Sequence, residues 1–315
     1  MSELLGPVLV LVFTLSQAFR DVYFSSAFQK FDFFAVILLA FTLSTVIFAI
    51  VALVRSPSDF RKLRGQGGTM LAAQITTALA WSSFFFALTQ IDPSVVNTIH
   101  SAMGPLVVVV LGAFGISLAQ RTAPTPLERV GYIGMALSVV CLWVVVLGGY
   151  SGLAVKSTGA TAAGLALLAV SGTSITLSLL YCKRLQDNGV GADALTTVRY
   201  GGLILFAAAV VFLRDRPTGI ETFGEAATLA AAALLLIVFP LYALQVGIGR
   251  LTPLTANVVR ALGPVFVFVL EQFDGRIQYS LPVLVCILIY SASVIVCNLA
   301  RGWRDTPQPA ISVSR

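Results

Sequence analysis

The chain has 315 residues and a formal net charge of +6, and 57% of its residues are hydrophobic while only 11% are charged. A soluble domain carries about 25% charged residues, so a soluble fold is excluded. Continuous apolar runs of membrane-spanning length, without the short alternating segments of a barrel, point to an all-α polytopic membrane protein.

Ten spans are expected, at 5–27, 33–54, 69–90, 93–117, 128–148, 160–182, 193–213, 226–247, 253–272 and 279–300. The connections are short and leave no room for an extramembrane domain. Met1-Ser2-Glu3 has no basic run before the first span, which reads as a retained helix and not a cleaved signal. That span carries Gln17, Arg20 and Asp21. Adjacent Arg20 and Asp21 point about 100° apart on a helix, so they are expected to pair across helices and not with each other. Both are candidates for coupling or charge recognition.

The third span offers Gln74, Thr77 and Trp81 at i, i+3 and i+7. The fourth offers Asn97, His100, Ser101 and Gly104-Pro105, with His100 the only histidine in the chain. A lone histidine excludes a two-histidine metal site. Small residues of the fifth span, Gly131 and Gly134, and Gly201-Gly202 of the seventh allow close helix contact. Ser171, Ser174, Ser178 and Tyr181 form a stripe on the sixth span, Arg199 lies in the seventh, and Tyr242 and Gln245 share a face of the eighth. The ninth carries Asn257, Arg260 and Gly263-Pro264. Arg260 is the leading candidate for substrate binding, because a charge inside a bilayer normally faces a cavity and serves a function. The alternative for each of these residues is structural: a paired arginine, a hydrogen-bonded histidine, or polar glue between helices. Cys141, Cys182, Cys286 and Cys297 fall in or beside apolar runs with no metal-binding spacing and read as buried free thiols. The polar tail after Trp303 reads as disordered.

Placing the loop 55–68 in the cytoplasm puts 12 basic residues, from Arg55 to Arg315, on that side, against Lys30, Lys156, Arg214, Arg216 and Arg276 on the other. Both termini are then cytoplasmic, and in a membrane chain this basic excess needs no nucleic-acid partner.

The fourth and ninth spans share an order: Pro93, Asn97 and Gly104-Pro105 in one, Pro253, Asn257 and Gly263-Pro264 in the other. The period of about 160 residues is half the chain, so each half (1–149 and 150–303, followed by the tail 304–315) holds five spans and the second must be inverted. Inverted repeats place a substrate at their interface near the midplane. Gly104, Pro105, Gly263 and Pro264 are expected to break their helices.

The two Gly-Pro segments, the basic residues Arg55 and Arg121 after the second and fourth spans, and Arg199 within Ala194–Tyr200 carry a resemblance. By them the chain resembles the drug/metabolite transporter superfamily, in its ten-span EamA type. The resemblance implies a secondary transporter of the cell (inner) membrane. Small multidrug exporters of that superfamily bind cations through a first-span carboxylate, a part that Asp21 would play here. The sugar-phosphate branch carries basic residues in its ninth span, where this chain has Arg260 alone.

No motif of a hydrolase, metalloprotease or phosphate-binding loop is present. The expected function is therefore export of a small polar organic metabolite, such as an amino acid or organic acid, with no cofactor or metal. Arg260 with Arg199 would hold a carboxylate, Asn97, Asn257, His100 and Ser101 would bond other polar groups, and Trp81, Gln74, Tyr242 and Gln245 would shape the site. A flippase or carrier for a lipid-linked or sugar-phosphate substrate and an organic-cation exporter remain open alternatives, as does a homodimer. The lipid bilayer and the substrate are the expected partners.

Overall fold

The computed structural model describes residues 2–115, 124–153, 157–214, 217–240 and 258–305. Its described residues are helical throughout, and eight helices are long and apolar enough to cross a membrane. In chain order they begin with α1 (Ser2–Ala27), α2 (Phe33–Arg55), the short α3 (Asp59–Lys62), α4 (Gly67–Leu88) and α5 (Pro93–Ala113). Then follow α6 (Pro126–Leu147), α7 (Thr158–Asp187), and α8 (Ala192–Arg199) with α9 (Gly201–Leu213), which together make one span. The rest is α10 (Phe223–Ala233) with a π-helical turn at Leu234–Val238, α11 (Gly263–Glu271) and α12 (Leu281–Asp305). The expected eighth and ninth spans run through 241–257, outside the described residues, so Tyr242, Gln245 and Asn257 are not placed. The last helix continues to Asp305, two residues into the segment read as tail.

Helix starts follow capping chemistry. Asp32 accepts from the Phe34 and Ala35 amides at the head of α2, and Thr125 with Glu128, and Thr222 with Glu225, form reciprocal capping boxes at α6 and α10. Helix α5 differs. Its N-cap Asp92 makes no capping bond, and Glu271 at the end of α11 accepts instead from the Ser94 amide at 3.0 Å and hydroxyl at 2.6 Å. A carboxylate from one helix thus satisfies the exposed donors of another.

The helices pack α4 on α7, α6 on α12, α5 on α7, α1 on α11, and α2 on both α8 and α9. Gly131 and Gly134 permit the α6–α12 approach, since a Cβ there would collide with Cys297 and Ser293. Gly201 and Gly202 stand against Gln74 in the same way.

The bundle has two unlike ends. Where α1 and α4 finish and α2 and α5 begin, the far end, buried Phe24, Phe28, Phe41, Phe84 and Phe85 form one aromatic core with Leu142, Leu165 and Ile287. Loops knit over it: Gln278 donates its amide to Gly152, Ser280 its hydroxyl to the Tyr150 carbonyl, and Arg276 bonds both Asp274 and the Ser25 carbonyl. At the opposite, terminal end, where α1 begins and α12 finishes, the interior is polar.

Two expectations are corrected. Gly104-Pro105 does not break its helix, because α5 runs unbroken from Pro93 to Ala113. A proline inside a helix removes one amide donor and frees the carbonyl four residues back, that of Ser101, without ending the helix when its surroundings hold it. Gly263-Pro264 does fall at a break, since a turn at Leu262 precedes α11. The four thiols are free as expected, but Cys141 is exposed on the outer surface of α6 while the other three are buried.

Replacing Gly134 by valine should force α6 from α12. We expect a destabilisation of about 1–3 kcal/mol, the usual cost of overpacking, read as a lowered Tm in detergent, with Gly224→Ala, where a Cβ meets only ordinary contact, as a control outside that interface. A Tm equal to wild type would show that the two helices do not meet there.

Candidate functional site

A cavity of about 390 Å³ occupies the terminal half of the bundle. Its lining runs from Asn97 on α5 and Thr14 and Gln17 on α1 to Asn298 and Arg301 near the end of α12. Arg260 stands in its wall with Tyr290 and Ser101.

Arg260 is exposed to solvent in this cavity. Its guanidinium lies 5.9 Å from the Phe13 ring, and among the described residues it has no carboxylate within ion-pair distance. The chain around it adds none, because no Asp or Glu occurs between Glu225 and Glu271. Ser291 holds the backbone next to it by donating to the Ala261 carbonyl at 2.9 Å.

Two other interior arginines, Arg20 and Arg301, are neutralised by carboxylates. Arg20 bonds its own neighbour Asp21, Nε to Oδ1 at 2.8 Å, with its guanidinium over the rings of Trp81 and Phe84 at 5.2 and 5.5 Å. This corrects the expectation that the two would not pair: the long arginine side chain curls around the helix to reach a carboxylate on the adjacent position. Asn97 completes the group by donating Nδ2 to Asp21 Oδ2 at 2.6 Å. Asp21 is fully buried. At the terminal end Arg301 bonds Glu128 at 3.1 Å and also the Tyr132 hydroxyl.

Asn97 therefore spends its amide nitrogen on Asp21 and keeps its oxygen, which faces Gly263. The His100 tautomer follows from a similar count. Ser171 has one hydroxyl proton, and it goes to the Ala80 carbonyl at 2.7 Å. Its bond with His100 Nδ1 at 3.0 Å must then be donated by Nδ1–H. The neutral ring keeps Nε2 as an acceptor.

Of the residues singled out in the sequence, the structure brings Arg260, Asn97, His100, Ser101, Gly104, Pro105 and Gly263 to the cavity. It places others elsewhere. Gln74 donates to the Val198 carbonyl at 2.8 Å, and Arg199 donates to the Thr77 hydroxyl at 3.1 Å. Trp81 packs on Phe41 and Arg20, with its indole nitrogen unbonded. Pro264 is buried beneath the break. Sequence reasoning missed Tyr290, Asn298 and Arg301, although their spacing of 8 and 11 puts them on one face of α12.

No protein-family model matches the chain, and no curated protein matches it. A solved crystal structure matches over 96% of this chain and 99% of its own, with a TM-score of 0.63 and 17% sequence identity. At that identity the likeness is one of fold.

Beyond the cavity, Asp92 sits in the turn before α5, outside the span. Burial pushes its carboxyl up to about 6 against the pull of the Gly152 and Leu153 amides. A carboxyl raised above its ordinary value opposes folding when ionised, so stability should rise as pH falls from about 6 toward 4. Asp92→Asn keeps an oxygen for Gly152 and should raise stability at pH 7.5 by up to about 3 kcal/mol, two pKa units at 1.36 each. Thermal unfolding in detergent at pH 7.5 and 5 checks this, and a variant less stable than wild type at pH 7.5 would refute it.

Proposed function

We propose that the chain is a secondary transporter of the drug/metabolite type that exports a small polar organic metabolite, an amino acid or organic acid, by alternating access between two inverted halves. In this reading the ten spans are α1, α2, α4, α5 and α6, then α7, α8 with α9, α10 with its continuation, α11 with its preceding segment, and α12. The site lies in the cell membrane with both termini cytoplasmic, the side on which Arg55, Arg61, Lys62, Arg64, Lys183 and Arg184 cluster.

Helix packing supports the repeat. Exchanging each span with the one five places along turns the α1–α11 contact into α7–α5, and α4 with α8 and α9 into α10 with α2. It also turns α4–α7 into a contact of the eighth span with α1, and α5–α6 into α11–α12; all of these contacts are present. The pairs α2 with α8 and α9, α5–α11 and α6–α12 map onto themselves. The main contacts thus follow the pattern that a two-fold relation between halves requires, while weaker ones such as α5 with α12 do not.

The observation that carries the function is Arg260, an uncompensated guanidinium in a solvent-reached cavity within apolar helices. Arg20 and Arg301, by contrast, each have a carboxylate, and Arg199 donates to the Thr77 hydroxyl outside the cavity. An organic-cation site at Asp21 finds no support, since both carboxylate oxygens already have partners. A phosphate or lipid-linked substrate is less favoured, because a single unpaired arginine offers little to a dianion.

Untargeted comparison of metabolites inside and outside cells with and without the protein should identify the exported compound. Arg260→Lys should then weaken its transport, because lysine lacks the fork geometry of a guanidinium. Arg260→Ala should lower it roughly ten- to hundredfold, matching the about 1.5–3 kcal/mol of a hydrogen bond to a charged group. Unchanged transport by Arg260→Ala at normal protein levels would refute the reading.

A further inference from the structure

An amino acid and an organic acid make different demands on a site, and the charges around this cavity distinguish them. A zwitterionic amino acid carries its ammonium on the carbon next to the carboxylate, and that ammonium needs a carboxylate or a cage of acceptors away from other cations. None of the cavity-lining residues is acidic. The nearest interior acid, Asp21, is fully buried, and its oxygens are taken by Arg20 and Asn97. Glu128 is committed to Arg301 and to capping α6. Glu271 and Asp92 lie at the far end, bonded to Ser94 and Gly152. The segment 241–257 contains no acid. Among the described residues Arg20 and Arg301 are each matched by one carboxylate, and Arg260 is the cavity-lining cation without one.

The neutral groups beside Arg260 complete the pattern. His100 presents the acceptor Nε2, because its Nδ1–H is held by Ser171. Asn97 presents its oxygen, because its nitrogen is held by Asp21. Tyr290 and Ser101 add hydroxyls to the same wall. A hydroxyl next to a carboxylate needs one neutral acceptor. An ammonium in that place needs charge compensation as well, and it would lie a few ångströms from the guanidinium that holds the carboxylate, where like charges repel strongly in a cavity walled by apolar helices.

We infer that the cavity selects carboxylate anions that carry a hydroxyl and no ammonium, with the carboxylate on Arg260 and the hydroxyl donating to His100 or Asn97. The inference rests on the transporter reading above, in that both place an anion on Arg260. The cavity volume of about 390 Å³ fits a small hydroxy acid, within the lower part of the usual range for small-molecule sites.

The test uses isosteric pairs that differ only in hydroxyl against ammonium: L-lactate with L-alanine, and L-phenyllactate with L-phenylalanine. Equilibrium binding to the full chain in lipid nanodiscs should show at least one hydroxy acid bound about tenfold or more tightly than its amino partner. Arg260→Gln should remove that binding, while Gln74→Ala, outside the cavity, should leave the ratio unchanged. Equal or tighter binding of the amino acids, lost in Arg260→Gln, would overturn the selectivity and leave the anion site standing. Binding of either kind that survives Arg260→Gln would overturn both. Absence of binding by both hydroxy acids overturns the inference, and transport of another anion that still depends on Arg260 would leave the transporter reading intact.

Discussion

A guanidinium inside an apolar bundle must be met by a counter-charge or by water, and Arg260 has only the second. Its stretch of chain contains no acid from Glu225 to Glu271. Of the buried acids, Asp21 and Glu128 are spent on Arg20 and Arg301, and Glu271 and Asp92 on Ser94 and Gly152 at the far end. The cavity is the consequence: without solvent around it, an unpaired arginine would bear the full cost of desolvation. The features beside it suit the same need. A helix break at Leu262, a proline that deprives the Arg260 carbonyl of its usual donor, and the Tyr290 hydroxyl all add polarity where the charge sits.

The contrast between the two ends of the bundle follows from where aromatic and polar residues fall along each helix. Phenylalanines cluster near the end of α1, the start of α2 and the end of α4, so they meet at one end and exclude water. At that end the halves are also tied by polar bonds: Glu271 of the second half caps α5 of the first, and Asp92 of the first holds the Gly152 amide of the second. At the other end the same helices carry Gln17, Ser101 and Asn298, and there the interior stays open to water. If the chain works by alternating access, as proposed above, the Glu271–Ser94 and Asp92–Gly152 bonds are among those that would part when the far end opens.

Much of this was readable from the chain. The apolar runs gave spans within a few residues for most helices, because a membrane helix has no other place to put twenty apolar residues. Arg260, Asn97 and Ser101 were recognisable as a site, since polar groups in such runs need a reason. Other parts depended on partners that sequence does not reveal. Gln74 and Trp81 share a helix face, yet what they touch is the end of α8 and the Arg20 guanidinium. Arg20 and Asp21 looked too close in sequence to pair because helix angles describe Cβ directions, and an arginine extends far past its Cβ. The role of Glu271 was hidden because its target, the exposed amide of Ser94, is created by the fold. The α12 face of Tyr290, Asn298 and Arg301 was legible and overlooked, since offsets of 8 and 11 also return to one helix face.

The central claim, that the cavity is water-filled and positively charged by Arg260, can be measured without knowing the substrate. With the four native cysteines replaced by serine and Ser101 replaced by cysteine, the thiol would report the local potential through its reaction with thiosulfonate reagents of opposite charge and similar size. A focused positive field should speed the anionic reagent relative to the cationic one by about tenfold or more, after correction for their rates with a free thiol. Adding Arg260→Gln should abolish that preference. Equal rates with Arg260 present, or a preference for the cationic reagent, would contradict the account.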